Sequence, residues 1–235
     1  MIPAVDRLLR IVSVALITAG VVVLIDVATT VAWREPVSSI YGSIQQDRLA
    51  GQLRDLERRF PSRAALRRIS SINDVRAKVR ALAHLFAGRV KEGQAIGRIV
   101  IPAIDLDIVA VEGTGTADLE KGPGHYPSTP FPGEGGTTAF AGHRTTYLAP
   151  FRHLDSLDHG DEVDMEMPYG SLTYRVQRTR VVDPSDIRIL HEAGYERLVL
   201  TACNPLYSAS QRLVAFARLR RVTLFAPATR RWRDP

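Results

Sequence analysis

Apolar residues follow three different patterns along this chain, and the first predicts a membrane-spanning helix. Residues 11–25 are uncharged and mostly apolar, and the apolar stretch continues with one interruption to residue 33. A span of this length crosses a bilayer as a helix. Asp26 lies toward its far end, where water is closer, and Trp33 suits a membrane interface. We therefore expect a transmembrane segment at residues 11–33.

The charges before this segment predict its orientation. Arg7 and Arg10 flank its N-terminal side, which favours a cytoplasmic N-terminus at residues 1–10. A cleaved signal peptide is the alternative, but the apolar run is long for one and no clear Ala-x-Ala site follows it. We expect an uncleaved signal anchor in the cell membrane, with the rest of the chain extracellular.

Residues 34–92 show the second pattern, in which apolar positions recur at helical spacing among many charges. The two runs are Leu49, Leu53 and Leu56, and then Val75, Val79, Leu82 and Phe86. Pro61 separates them, and Gly88 and Gly93 mark the end of the second run. We interpret this region as a basic, solvated helical spacer. The sequence leaves open whether it packs on the next domain as a lid.

From Gly97 onward, short apolar runs alternate with turn residues, which predicts an all-β domain at residues 93–228. The expected strands are 98–101, 108–111, 137–141, 162–167, 171–176, 181–182, the runs before Cys203 and after Arg212, and 222–225. Many short strands at such spacing favour a closed or partly closed barrel. The tail at residues 229–235 has no apolar run, so we expect no second membrane anchor.

The net charge of +6 is concentrated before the β domain. Residues 34–92 hold 13 Lys and Arg against 6 Asp and Glu, whereas residues 93–235 hold 16 against 17. A nucleic-acid-binding protein carries its basic face on the working domain, so this distribution argues against that class. A basic segment next to a membrane is better suited to anionic lipid or polymer.

The β domain contains the only cysteine of the chain, Cys203, where an apolar run ends at Asn204-Pro205. A lone thiol cannot form an internal disulfide, and it is either a nucleophile or a small buried hydrophobe. A thiol nucleophile needs a basic partner, normally histidine. Of six histidines, His143 is the best placed, because it follows a strand-like run and Gly142 allows close backbone approach.

Arg212 heads the next apolar run, nine residues after Cys203, so we expect the two side chains to meet across a hairpin-like connection. A Cys–His pair performs acyl transfer through a tetrahedral oxyanion, which needs hydrogen-bond donors. A guanidinium can supply these donors or orient the substrate. A surface charge on an edge strand is the alternative for Arg212.

These residues lie in motifs that resemble the sortase family. The matching segments are 141–147 (Ala-Gly-His-Arg-Thr-Thr-Tyr), 200–205 (Leu-Thr-Ala-Cys-Asn-Pro) and 212–213 (Arg-Leu), in the family's order of His, Cys and Arg. The resemblance extends from about Gly97 to Ala226. With the segment 122–127 (Gly-Pro-Gly-His-Tyr-Pro), the histidine motif looks most like class E, the housekeeping sortases of actinobacteria.

The resemblance implies a closed eight-stranded β-barrel that acts as a membrane-anchored cysteine transpeptidase. Such enzymes cleave a C-terminal sorting signal after Thr, form a thioacyl intermediate and transfer the acyl group to an amine. The resemblance implies that Cys203 is the nucleophile, His143 the general acid/base, and Arg212 the oxyanion or substrate-positioning group. Class E implies secreted partners with a Leu-Ala-x-Thr-Gly or Leu-Pro-x-Thr-Gly-like signal, a peptidoglycan-precursor or lipid II amine, and a Gram-positive, actinobacterial cell.

One position departs from the family pattern, which has Thr directly before the cysteine where this chain has Ala202. Thr201 precedes it, on the other face of a strand. We expect Tyr126, Thr201 and Ala202 to contact the substrate, and the missing hydroxyl to lower activity or alter specificity. A catalytically weakened or inactive sortase-fold binding module is therefore an alternative. A pilin-polymerising sortase is another, although residues 34–92 lack an Asp-Pro-aromatic lid motif.

No cofactor is expected. Calcium, which a few sortases bind, is the alternative at Asp161, Glu162, Asp164 and Glu166, although these residues more simply form a solvated strand face. No zinc-ligand spacing is visible. Two other cell-wall enzyme classes are disfavoured. An L,D-transpeptidase carries a Ser-His-Gly-Cys motif, which is absent here, and a papain-like peptidase has its cysteine before its histidine.

Overall fold

The structure, a computed structural model, describes residues 2–32 and 36–225, with side chains described at 7–25 and 38–225. The expectations for the Asp26 side chain, for Trp33 and for the tail at 229–235 lie outside the described residues. The helices are α1 (Ile2–Ala32), α2 (Pro36–Arg59), α3 (Arg63–Arg68), α4 (Val75–Ala87) and α5 (Thr116–Leu119). Short 3-10 turns occur at Pro102–Ile104, Leu154–Ser156 and Ile187–Leu190.

Eight strands form a closed barrel, as the resemblance implies. They are β1 (Ala95–Ile101), β2 (Leu106–Glu112), β3 (Gly124–His125), β4 (Thr137–Ala141), β5 (Glu162–Met167), β6 (Gly170–Val182), β7 (Arg197–Asn204) and β8 (Gln211–Leu224). The order around the barrel is β1-β2-β3-β4-β7-β8-β6-β5. Pairing is parallel at β2–β3 and β4–β7 and antiparallel elsewhere. The prediction of a closed, mainly β fold is confirmed.

The strand boundaries differ from the predicted ones at β3, β6 and β8. The runs 171–176 and 181–182 belong to the single strand β6, and the runs after Arg212 and at 222–225 both belong to β8. These two strands pair along their length with two register shifts. Such irregularities interrupt the alternation of apolar and polar residues. In the sequence, each of these strands therefore looks like two separate short apolar runs. The two residues of β3 lie in a turn-rich segment, which carries no strand pattern.

Helix α1 contains residues 11–32 of the predicted membrane-spanning segment. Its stretch Arg7–Ile25 has 19 residues, a mean hydropathy of 2.6 and no residue buried inside the protein. By length and composition this helix can cross a membrane, and its exposed apolar side chains are better suited to lipid than to water. A signal sequence near an N-terminus has the same properties.

Helices α2 and α4 pack on the barrel, so the described part of residues 34–92 is helical, as predicted, but it is not solvated throughout. This packing is the possibility that the sequence left open. From α2, Leu49 and Leu53 are buried against β1 and β2. From α4, the residues buried in the main core are Val79, Leu82, Ala83 and Phe86. Val75, which was predicted on the same face, is 44% exposed. Helical spacing identifies an apolar face, but it does not show what covers that face.

Candidate active site

Parallel pairing of β4 with β7 places His143 beside Cys203. Ala141 pairs with Thr201 in this register, and the Gly142 N–H donates to the Thr201 carbonyl oxygen at 3.0 Å. His143 and Cys203 each follow this pair by two residues, so both lie at the same end of the barrel on neighbouring segments. Adjacent strands are about 4.8 Å apart. The register therefore allows the imidazole and the thiol to meet.

Antiparallel pairing of β7 with β8 adds Arg212 to this pair. Cys203 lies directly opposite Arg212 in the register of the two strands. The Arg212 Nη1 donates to the carbonyl oxygens of Ala209 and Gln211 at 2.9 and 3.0 Å. The ion pairs found among the described residues do not include Arg212. Its positive charge is therefore available to an oxyanion that forms beside the thiol.

The thiol and the guanidinium lie on the outer side of the barrel wall. Along β7, Ala202 belongs to the main core inside the barrel, whereas Val199 belongs to a separate cluster outside it. Since side chains alternate along a strand, Cys203 faces outward with Val199. On β8, the same alternation places Arg212 on the outer face with Val214. Both groups can therefore be reached by a peptide that lies along the outside of the barrel.

Close packing requires a glycine directly before His143. A Cβ atom at Gly142 would lie 2.5 Å from the ring of Phe151, which is fully buried. The Phe151 N–H also donates to the His143 carbonyl oxygen at 3.0 Å. The prediction that this glycine allows close backbone approach is confirmed.

The His143 ring packs against Tyr147, with 5.2 Å between the ring centroids. Its Nε2 atom is buried and has no hydrogen-bond partner among the described residues. Burial lowers the pKa of His143 below its ordinary value of 6.5, and the negative charge of Glu120 partly opposes this effect. The Tyr147 hydroxyl donates to Glu120 at 3.0 Å and so holds this carboxylate in place. The unpaired nitrogen is available for proton transfer with a bound substrate.

Replacing Glu120 by glutamine tests this electrostatic contact. The Glu120→Gln amide oxygen can still accept from Tyr147, but the charge that stabilises the imidazolium is lost, so the pKa of His143 falls further. In an enzyme whose active form carries imidazolium and thiolate together, lowering the pKa of His143 by one lowers the plateau of kcat/KM about tenfold. The acid limb of the pH profile then moves down by about one pH unit. Peptide cleavage rates over a wide pH range measure both effects. An unchanged acid limb contradicts the prediction.

Helix α2 covers the loop that follows His143. The Tyr147 N–H donates to the Ser38 hydroxyl at 3.3 Å, and the Tyr41 ring packs edge-on against the Tyr147 ring. Residues 147–149 all have left-handed backbone angles, with φ of 49°, 66° and 44°. Such angles are costly for residues with side chains and need support from their surroundings. The first turns of α2 therefore support the loop beside the candidate active site.

The three predicted substrate-binding residues have different environments. The Tyr126 hydroxyl donates to Thr201 at 3.0 Å, and the Thr201 hydroxyl donates to the Phe140 carbonyl oxygen at 3.3 Å. Thr201 is 2% exposed, so its hydroxyl holds Tyr126, whose ring is half-buried. Ala202 faces the core and is 3% exposed, so it offers a substrate only its backbone. Substrate contact by these residues stays a prediction, and any effect of Ala202 on activity acts through packing beneath the thiol.

A buried His–Glu pair, which the sequence does not reveal, anchors the loop that carries Tyr126. His125 is fully buried, with its Nδ1 2.8 Å from Glu112 and its Nε2 3.2 Å from the Pro130 carbonyl oxygen. The two residues lie opposite each other on the parallel strands β2 and β3. His125 therefore has a structural role next to Tyr126. Only the pairing of these strands brings it together with Glu112.

The acidic residues considered for calcium have partners within the protein. Glu162 pairs with Arg175 at 3.1 Å, and Asp164 accepts from the Thr173 hydroxyl at 2.6 Å. Within the described ranges, no three His, Cys, Asp or Glu side chains form a group suited to a metal ion. Catalysis without a cofactor stays a prediction.

A closed barrel that carries a cysteine, a histidine and an arginine at one end of three adjacent strands has the arrangement of an enzyme with a thiol nucleophile. A family model described as the sortase domain matches residues 99–220. The chain belongs to the sortase family.

The relatives include sortases of more than one class. The chain is 41% identical to sortase D of Bacillus subtilis strain 168 over 116 residues, which are 48% of this chain and 56% of that protein. Sortase E of Streptomyces avermitilis superposes with a TM-score of 0.52 and 34% identity, covering 57% of this chain and 93% of that structure. Sortase D5 of Clostridium perfringens, a transpeptidase, superposes with a TM-score of 0.54 and 26% identity, covering 65% of this chain and 92% of that structure. The chain spans about half the length of the Bacillus relative.

Proposed function

We propose that this chain is a membrane-anchored cysteine transpeptidase of the class E, housekeeping type, which cleaves a C-terminal sorting signal and joins the released protein to a cell-wall amine. The observation that carries the proposal is the register of β4, β7 and β8, which aligns His143, Cys203 and Arg212 at one end of the barrel. The family supports it, since a Clostridium perfringens member is a transpeptidase. The class and the substrates are part of the proposal.

These three side chains account for the proposed chemistry. The Cys203 thiolate attacks the carbonyl carbon of the signal's Thr, and the Arg212 guanidinium stabilises the oxyanion. The His143 imidazolium gives its proton to the departing amine, which leaves a thioester on Cys203. An acceptor amine then attacks the thioester and forms the new amide bond. His143 takes the proton of this amine, and the thiolate is restored.

Exposed apolar side chains on the segments that border the thiol suit an extended, partly apolar signal. They are Leu206 and Tyr207, which are 38% and 63% exposed. Both follow Cys203 in the connection to β8. Signals of the Leu-Ala-x-Thr-Gly or Leu-Pro-x-Thr-Gly type present an apolar residue on such a surface.

The proposed membrane location fits the position of the active site. We place α1 in the cell membrane with a cytoplasmic N-terminus, because Arg7 and Arg10 precede its apolar stretch. Helix α1 ends at Ala32, and Ser38 already contacts the loop after His143. Six residues reach at most about 20 Å, so the thiol stays close to the bilayer. A sorting-signal protein leaving the membrane and a lipid-linked amine, such as that of lipid II, would both be near it.

The test uses the full chain in detergent micelles, a library of Leu-x-x-Thr-Gly peptides and triglycine as the amine. We expect cleavage between Thr and Gly, and transfer of the Thr carbonyl to triglycine, both detected by mass spectrometry. A preference for Ala over Pro at the second position supports class E. Peptides with Thr and Gly exchanged are the control. Peptide binding without cleavage or transfer identifies instead the sortase-fold binding module considered from the sequence.

A further inference from the structure

Each of the three proposed catalytic residues has a polar neighbour in the chain, and these neighbours are hydrogen-bonded to one another. The neighbours are Arg144, Asn204 and Gln211. The Arg144 Nη1 donates to the Asn204 Oδ1 at 2.7 Å, and the Asn204 Nδ2 donates to the Gln211 Oε1 at 3.1 Å. We call these three residues the rim network.

Arg144 anchors the rim network. Its side chain is 4% exposed. Besides Asn204, it donates to the carbonyl oxygen of Arg152 at 3.3 Å and pairs with Asp155 at 2.6 Å. A guanidinium presents its donors in a rigid planar fork, so three partners in three directions fix its position. Burial of a cation is costly unless it is well bonded, which makes these contacts necessary for the observed placement.

The rim network and the proposed catalytic residues lie on opposite faces of the same strand ends. Asn204 pairs with Gln211, one residue beyond the pair of Cys203 and Arg212. Because side chains alternate along a strand, Asn204 and Gln211 face the inner side while the thiol and the guanidinium face outward. The outer face must stay open to a peptide. The inner face is therefore where side-chain contacts can hold the strand ends together.

The ladder between β4 and β7 ends before His143, whose own backbone bond is to Phe151 and not to β7. Strand β4 ends at Ala141, two residues before His143. The contact between Arg144 and Asn204 joins the two segments one residue beyond the histidine and the cysteine. A shift of this contact moves the imidazole relative to the thiol.

We propose that the rim network positions the catalytic residues, and that Arg144, through Asn204, sets the separation between the His143 imidazole and the Cys203 thiol. The inference rests on the roles of His143 and Cys203 in the proposed function. Arg144 and Asn204 are positioning residues, since they act through their neighbours and do not touch the reacting atoms.

The test uses full-chain variants that break the network from both sides. Arg144→Met removes all contacts of the guanidinium. Asn204→Ala breaks the same link while Arg144 keeps its other two partners, so its ion pair with Asp155 is retained. Both are expected to lower kcat for peptide cleavage about tenfold to a hundredfold with little change in KM, because a displacement of about 1 Å at the reacting groups has an effect of this size. Asn204→Asp keeps an acceptor for Arg144 and is expected to restore most of the rate.

A second measurement needs no substrate. Cys203 is the only cysteine, so the rate of its alkylation by iodoacetamide against pH reports the thiolate and its coupling to His143. The wild-type profile is expected to contain a step from the titration of His143. This step disappears in Arg144→Met and in Asn204→Ala, because the imidazole and the thiol move apart, and it is retained in Asn204→Asp.

Arg197→Met is the matched control. Arg197 is a partly buried arginine that also donates to two backbone carbonyl oxygens, but it lies at the opposite end of β7. Its loss is expected to lower the thermal stability without changing kcat per folded molecule or the alkylation profile. If folded Arg144→Met and Asn204→Ala also keep the wild-type kcat and profile, the network is only structural and the proposal is wrong. If the wild type cleaves no peptide, the proposed function fails, while the alkylation profiles still decide the role of the network.

Discussion

Cys203→Ala is expected to abolish both the cleavage of a sorting-signal peptide and its transfer to an amine. The thiol is the only atom in the proposed mechanism that carries the acyl group, and the chain has no second cysteine to replace it. Removal of the nucleophile from an enzyme of this kind costs about 10⁶-fold in kcat. Cleavage and transfer therefore fall below detection, and no thioacyl intermediate accumulates in the mass spectrum.

The fold should tolerate this change, which makes the result easy to interpret. Cys203 is half-buried at the end of β7 and forms no disulfide. Thermal unfolding and circular dichroism of Cys203→Ala should match the wild type. Cleavage that survives in a folded Cys203→Ala protein would show that another group is the nucleophile.

His143→Ala is expected to lower kcat/KM by about 10²-fold to 10⁴-fold, the usual contribution of a general acid/base. Burial disfavours the imidazolium and lowers the pKa of His143, so the acid limb of the wild-type profile should lie below pH 6.5. The variant should lose the limb at this position, because the imidazole that titrates there is gone. Rates of peptide cleavage against pH measure both the loss and the change of shape.

His159→Ala is the control for this prediction. His159 is an exposed histidine in the connection before β5, on a different part of the barrel from Cys203. Its replacement should leave both the rate and the pH profile unchanged. An acid limb that persists at its wild-type position in His143→Ala would assign that titration to another group and remove His143 from the mechanism.

The local patterns of the sequence predict most of the secondary structure because they depend on near neighbours. The uncharged run at 11–25 predicts a membrane-length helix, and the spacing of Val79, Leu82 and Phe86 predicts α4. The patterns fail where local order is irregular. The bulged strands β6 and β8 are each divided into two runs, and β3 is too short to show a pattern.

The motifs name the candidate residues of the site but not their arrangement. The order of His143, Cys203 and Arg212 along the chain identifies the family resemblance, and Gly142 indicates a close approach. The parallel pairing of β4 with β7 is a property of the closed barrel, since the two strands are far apart in the chain. The sequence likewise does not show that Ala202 points into the barrel, because this direction is set by the register of β7.

By itself, the sequence determined which segments are apolar on one face, where the chain turns, and which residues carry reactive groups. Only the tertiary structure decided what those faces and groups contact. It placed α2 over the loop after His143, buried α4 in the core, and joined Arg144 to Asn204 across 60 residues. The reason is physical: propensity and periodicity act over a few residues, whereas hydrogen bonds between side chains depend on the closure of the barrel.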